Sequence, residues 1–226
     1  MRPIKRGPVP QGSDGENKVY TQYGQAKDDL KNSIGHFCSY CEMNICNQSD
    51  IEHVQPKSSN EVLINSWSNF LLACKSCNII KSDNNDDRDG YVFPDEHNTS
   101  FLFEYNESGI SVKDDLPEEV KTLALATFNL VSLNRKKDTA GRTDDRAFAR
   151  LKSWQKAQVS LNDFLELPNE PAMVRQTARS CDGFFSMWLQ VFSQYPEVKR
   201  LILEEVKGSA MECYDAQVKP IERLER

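Results

Sequence analysis

The sequence predicts an α+β fold: a small, cysteine-clamped mixed region followed by a mainly α-helical one. Three observations predict it. Two Cys-x-x-Cys pairs, Cys38/Cys41 and Cys74/Cys77, bracket residues 42–73, as in a metal-closed knuckle with an insertion. Short runs rich in β-branched and aromatic residues, punctuated by turn residues, continue to about residue 112. After Asp114, apolar residues recur at helical spacing.

Taken in order, residues 1–18 are rich in Pro, Gly and charge and read as irregular. Residues 19–34 read as a helix ending at Gly35. Residues 65–72 lead into the second knuckle, and residues 77–81 lie in a short helix. Residues 83–90 are a polar loop. Tyr91-Val92-Phe93 and Phe101-Leu102-Phe103-Glu104-Tyr105 read as strands. Asn106-Glu107-Ser108-Gly109 is a turn, from which Ile110-Ser111-Val112 pairs back. Pro117-Glu118-Glu119 opens a helix with Val120, Leu123, Thr127 and Leu130 on one face. Residues 144–167 carry a stripe of Ala147, Leu151, Trp154, Gln158, Leu161 and Leu165. Residues 171–195 place Val174, Ala178, Cys181, Phe185, Trp188 and Phe192 on one face of a further helix, and residues 196–207 form a last one. The division is a zinc-stabilised domain over residues 1–112 and a helical domain over residues 113–226, the latter suited to docking a partner.

The 226 residues carry a net charge of −6, weak evidence against nucleic-acid binding on its own. The distribution matters more. Residues 134–156 hold Arg135, Lys136, Lys137, Arg142, Arg146, Arg150, Lys152 and Lys156 against three aspartates. Arg142, Arg146 and Arg150, four residues apart, would share one helix side and offer a phosphate track; a solvated face is the plainer reading. No apolar run reaches the ~18 residues needed to span a membrane, and the first residues lack a signal-peptide apolar region. A cytoplasmic protein is expected, whose thiols stay reduced and ligate metal.

Four thiolates from two knuckles make a closed tetrahedral site, so a zinc ion there is structural. Between the knuckles lie Glu52-His53 and Asn69, and Asn78 follows the last cysteine. Phosphodiester hydrolysis needs a base for water and positive charge near the leaving oxygen. A neutral imidazole, His53, suits the first. Glu52 and Asn78 offer hard oxygens that suit Mg²⁺ or Mn²⁺ for the second.

The motifs Cys38-x-x-Cys41, Glu52-His53-Val54-Gln55-Pro56-Lys57-Ser58, and Trp67-Ser68-Asn69-Phe70-Leu71-Leu72-Ala73-Cys74-x-x-Cys77-Asn78-x-x-Lys81 resemble the HNH, or ββα-metal, endonucleases over about residues 36–82. The resemblance implies a ββα-metal nuclease core. In it His53 is the general base, Glu52 the acidic metal ligand, Asn69 the residue that pins the base-bearing loop, and Asn78 the last metal ligand. The chain departs from the common pattern with Glu at 52 and Asn at 78. The Glu52–Ser58 form, with Leu133-Asn134-Arg135 downstream, is similar to the HNH subunits of Septu-type and retron-associated anti-phage systems. That implies a toxic effector acting on DNA or RNA, tRNA included, beside an ABC/SMC-like ATPase.

Lys57 and Lys81 are candidate phosphate contacts, although a solvated lysine is the default. His36 reads as a packing residue and His97 as an exposed one. Trp154 and Trp188 belong to the helical core. A zinc-ribbon binding module without catalysis is the alternative; the Glu52-His53 pair argues against it.

Overall fold

The computed structural model describes residues 1–168, 170–222 and 224. Among them the architecture is α+β, with two small antiparallel sheets and seven α-helices. No helix is long and apolar enough to cross a membrane.

Helix α1 (Lys27–Ile34) follows a 3-10 turn at Tyr23–Ala26, so the first helix starts later than its periodicity suggests. Gly35 closes it at φ +83°. Strand β1 (Ser49–His53) pairs antiparallel with β2 (Phe70–Cys74), in a register from Ser49 opposite Cys74 to His53 opposite Phe70. Phe70-Leu71-Leu72-Ala73 is continuously apolar, not alternating, because β2 is buried on both faces. Helix α2 (Lys75–Lys81) starts directly after β2, and Cys74 caps it by accepting the Cys77 amide on its sulfur. Strands β3 (Phe103–Asn106) and β4 (Gly109–Val112) form the expected hairpin, with Asn106 opposite Gly109. Phe101 lies in a 3-10 turn (Thr99–Phe101) and Leu102 closes it, so the first strand starts two residues later than expected.

Residues 91–93 are not a strand. Their amides do not meet a neighbouring strand: Tyr91 N–H donates to Arg88 O, Val92 N–H to Thr127 Oγ1 and Phe93 N–H to His97 Nδ1. His97 is thereby half-buried, not merely exposed.

Helix α3 (Glu118–Leu130) begins after Pro117, and α4 (Asp145–Glu166) after an Asp144 N-cap. The fully buried residues of α4 are Arg146, Arg150, Ala157 and Phe164; of the expected stripe, Trp154 and Leu161 are half-buried and pack on the cores, while Leu151 and Leu165 are exposed. The expected helix over residues 171–195 is two, α5 (Pro171–Arg179) and α6 (Phe185–Val191). The break lets the chain dock on the first knuckle. Gly183 (φ +110°) approaches so closely that a Cβ there would lie 2.8 Å from the Glu42 carbonyl oxygen, and Phe184 N–H donates to that oxygen. Helix α7 (Pro196–Glu205) completes the set.

The largest core joins Leu72, Phe93 and Phe103 to Ala124, Leu133 and Met187, so it crosses the boundary at residue 112. A second surrounds Phe164, Phe185, Trp188 and Phe192 among the last four helices.

Candidate active site beside a four-cysteine cluster

The first knuckle is a turn in which Glu42 N–H donates to Cys38 O, and Glu42 sits at φ +66°. The second is the β2–α2 junction. Together they bring the four sulfurs of Cys38, Cys41, Cys74 and Cys77 within 4.8 Å of one another, all buried. Cys41 Sγ and Cys74 Sγ lie 3.7 Å apart. A tetrahedron with Zn–S bonds of ~2.3 Å has edges of about 3.8 Å, so the cage could hold an ion such as zinc. The Cys74 thiol is held far down by hydrogen bonding from Cys38 and its other two neighbours, while that of Cys41 is pushed up by the same crowding.

Strand β1, helix α2 and the loop after β1 wall a cleft of about 560 Å³, lined by Tyr23, Asp50, Glu52, His53, Lys57 and Asn78 among others. His53 is 8% exposed, and its ring packs edge-on against Tyr23 and Phe70. Its Nε2 donates to Ile64 O at 2.8 Å. That assigns the imidazole proton to Nε2 and leaves the lone pair on Nδ1. Burial, with Lys57 and Lys81 adding to it, lowers the pKa below the ordinary imidazole value despite the Ile64 bond. At neutral pH the ring is an uncharged acceptor.

Asn69 brackets the loop after His53. Its Oδ1 accepts Gln55 N–H at 2.8 Å, and its Nδ2 donates to Gln55 O at 2.9 Å. Asn69 is itself held in place: Arg6 donates to Ser68 O and Phe70 O, Arg88 donates to Ser68 O, and Asp95 accepts from both arginines. Burial alone would raise the Asp95 carboxyl; Arg88 and Arg6 outweigh it and hold it below the usual range. Arg6, Arg88 and Asp95 were missed in the sequence because they lie far apart along the chain.

Glu52 and Lys81 meet inside the protein. Lys81 Nζ is 2.9 Å from Glu52 Oε1, with side-chain exposures of 0% and 2%. Tyr40 O–H donates to the same oxygen, and Lys81 also donates to His53 O. Burial pushes the Glu52 carboxyl up to about 7, against the pull of Lys81. Lys81 is therefore a buried partner of Glu52 and not a nucleic-acid contact. Arg146 and Arg150 are also excluded from that role. They are 1% and 2% exposed and donate to the carbonyls of Val131, Ser132 and Leu133. Arg142 lies before α4, exposed and paired with Asp138, so the three arginines share no face. Lys57 remains at the cleft rim, its Nζ 4.7 Å from the Tyr23 ring centre.

Asp50 was not singled out in the sequence. It shares the Glu52 side of β1, and Asn78 Nδ2 donates to its Oδ2 at 3.3 Å. Period-2 counting back from Glu52 is the signal that could have found it.

No family model matches the chain, and no curated protein matches it significantly.

Proposed function

We propose that the chain is a metal-dependent HNH-type endonuclease with a ββα-metal core formed by β1, β2 and α2, hydrolysing phosphodiester bonds of nucleic acid. The observation that carries the reading is the anchoring of His53: Nε2 on the Ile64 carbonyl, Nδ1 without a hydrogen-bond partner among the described residues, and the ring on the wall of an open cleft. A neutral imidazole so held can take a proton from water attacking a phosphate. Asn69 fixes the loop behind it, and Lys57 can hold a backbone phosphate at the rim. The carboxylates and amide across the cleft have the hard-oxygen chemistry of a Mg²⁺ or Mn²⁺ site. A divalent ion bound there would supply positive charge to the scissile phosphate and the leaving oxygen. Zinc in the cysteine cage would be structural, since four sulfurs leave it no open position.

The experiment is cleavage of plasmid DNA and of total tRNA with Mg²⁺ or Mn²⁺, wild type beside His53→Ala. Cleavage by wild type alone is expected, and the substrate cut names the class. Equal cleavage by both variants would remove His53 from the reaction.

The reading extends to a toxic effector of a cytoplasmic anti-phage complex. The exposed apolar residues Phe148, Leu151 and Val159 of α4 support contact with a partner protein, an ABC/SMC-like ATPase. Co-elution of the full chain with that ATPase, lost in Phe148→Glu, is the expected result; no co-elution of the wild type would count against the partner.

A further inference from the structure

We infer that Asp50, with Asn78, holds the divalent ion of the cleft, while Glu52 serves as the internal partner of Lys81. The inference rests on reading the cleft as a metal-dependent site. The two carboxylates project from the same side of β1, two residues apart, toward the α2 face that carries Asn78 and, one turn on, Lys81. They meet different partners there. Glu52 Oε1 takes both the Lys81 ammonium and the Tyr40 hydroxyl, in the interior. A carboxylate already neutralised by a buried ammonium brings no net charge to a dication, and freeing it would strand Lys81.

Asp50 is half-buried on the cleft wall and forms no ion pair among the described residues. Its one side-chain bond is to the Asn78 amide nitrogen, which turns the amide so that Oδ1 has no hydrogen-bond partner among the described residues. One carboxylate oxygen and one amide oxygen thus remain uncommitted on neighbouring side chains. Two hard oxygens of this kind leave the other positions of an octahedral Mg²⁺ or Mn²⁺ to water and phosphate.

The test is Mn²⁺ titration of the zinc-loaded full chain, followed by the loss of the free-ion paramagnetic resonance signal. Wild type, Asp50→Asn and Glu52→Gln are compared, with zinc content and circular dichroism as checks of folding. Asp50→Asn keeps an acceptor for Asn78 and removes only the charge, so a mere strand–helix tether would survive it. The expected result is a loss of affinity of roughly tenfold or more for Asp50→Asn, and a change below about threefold for folded Glu52→Gln. If Glu52→Gln does not fold, Asp50→Asn and Asn78→Ala, both weakened, carry the test. Wild-type affinity in Asp50→Asn, an equal loss in Glu52→Gln, or no Mn²⁺ binding by wild type would each overturn the assignment. Asp50-dependent Mn²⁺ binding without cleavage of DNA or tRNA would instead sink the nuclease and leave the ion site standing.

Discussion

Arg146 Nη1 donates to Cys77 Sγ at 3.2 Å. The same buried guanidinium donates to Val131 O, Ser132 O and both oxygens of Asp144. One side chain of α4 therefore joins the cysteine cluster to the turn after α3. Beside it, Arg150 donates to Leu133 O and to Asn134 Oδ1, which also accepts Ile110 N–H from β4. Burial opposes the Arg146 charge, but Asp144 and Cys77 more than offset it and hold the guanidinium strongly protonated. Four thiolates around a dication carry excess negative charge, and Arg146 is placed to balance it.

Replacing Arg146 by Ala should therefore cost stability and metal together. It removes the Arg146 donor from Val131 O, leaves Ser132 O with the Arg135 N–H alone, and takes away the cation beside the sulfurs, a class of change that costs ~3–5 kcal/mol. Lys should recover little, because a single ammonium cannot reproduce the fork. Urea unfolding of the zinc-loaded protein and zinc transfer to a chromogenic chelator measure the two effects. Unchanged zinc release would make the knuckles independent of α4.

His53→Ala should lower cleavage by roughly 10²–10⁴-fold, the usual contribution of a general base, and leave zinc content unchanged. The pH dependence has a definite direction. The imidazole works when neutral, and burial sets its pKa below the ordinary 6.5. With Mn²⁺ saturating, wild-type cleavage should hold as pH falls to 6.5 and decline only below it. A decline centred above 6.5 would mean that another group controls the rate.

The cysteine cage was legible because a Cys-x-x-Cys turn is local and its geometry follows from spacing. The adjacency of Glu52 and His53 was legible too, but not their surroundings. Successive strand residues face opposite ways, and only the packing of α2 on β1 decides that Glu52 turns inward to Lys81. Arg146 and Arg150 read as a surface track because charge is normally solvated. They are buried because the turn at residues 131–134, distant in sequence, presents carbonyls to them. The break between α5 and α6 was hidden for a similar reason: apolar periodicity continues across Gly183, and the docking site on Glu42 lies far back along the chain.

Asn69→Ala should separate loop geometry from the metal cage. It leaves Gln55 N–H and C=O without their side-chain partner, a loss of about 1–3 kcal/mol. Faster amide exchange at Gln55 and a fall in cleavage are expected, with zinc retained. Asn69→Asp, which keeps the acceptor and loses the donor, should fall between Ala and wild type. Full cleavage in Asn69→Ala would mean that His53 needs no support from this loop.

Asp144 offers a pH test with the opposite sign to Glu52. It caps α4 by accepting Arg146 N–H and bonds the Arg135 and Arg146 side chains. Burial alone would raise its carboxyl; the arginines outweigh it and bring the pKa from 3.8 to about 2. A depressed carboxylate stabilises the fold fully above its unfolded value, and the effect is lost only as pH falls from 3.8 toward about 2. Asp144→Asn keeps a cap acceptor and removes the charge. It should cost about 2 kcal/mol, by an amount that stays constant between pH 7.5 and pH 5.5 (roughly) in denaturant titrations. Glu52 behaves the other way. Its raised value means that the folded state holds a proton the unfolded state releases, so its contribution shrinks as pH rises from 4.5 through about 7. Wild type and Asp144→Asn should therefore slope together across that window while the gap between them holds. A gap that closes there would mean that the Asp144 carboxylate is not held by its arginines.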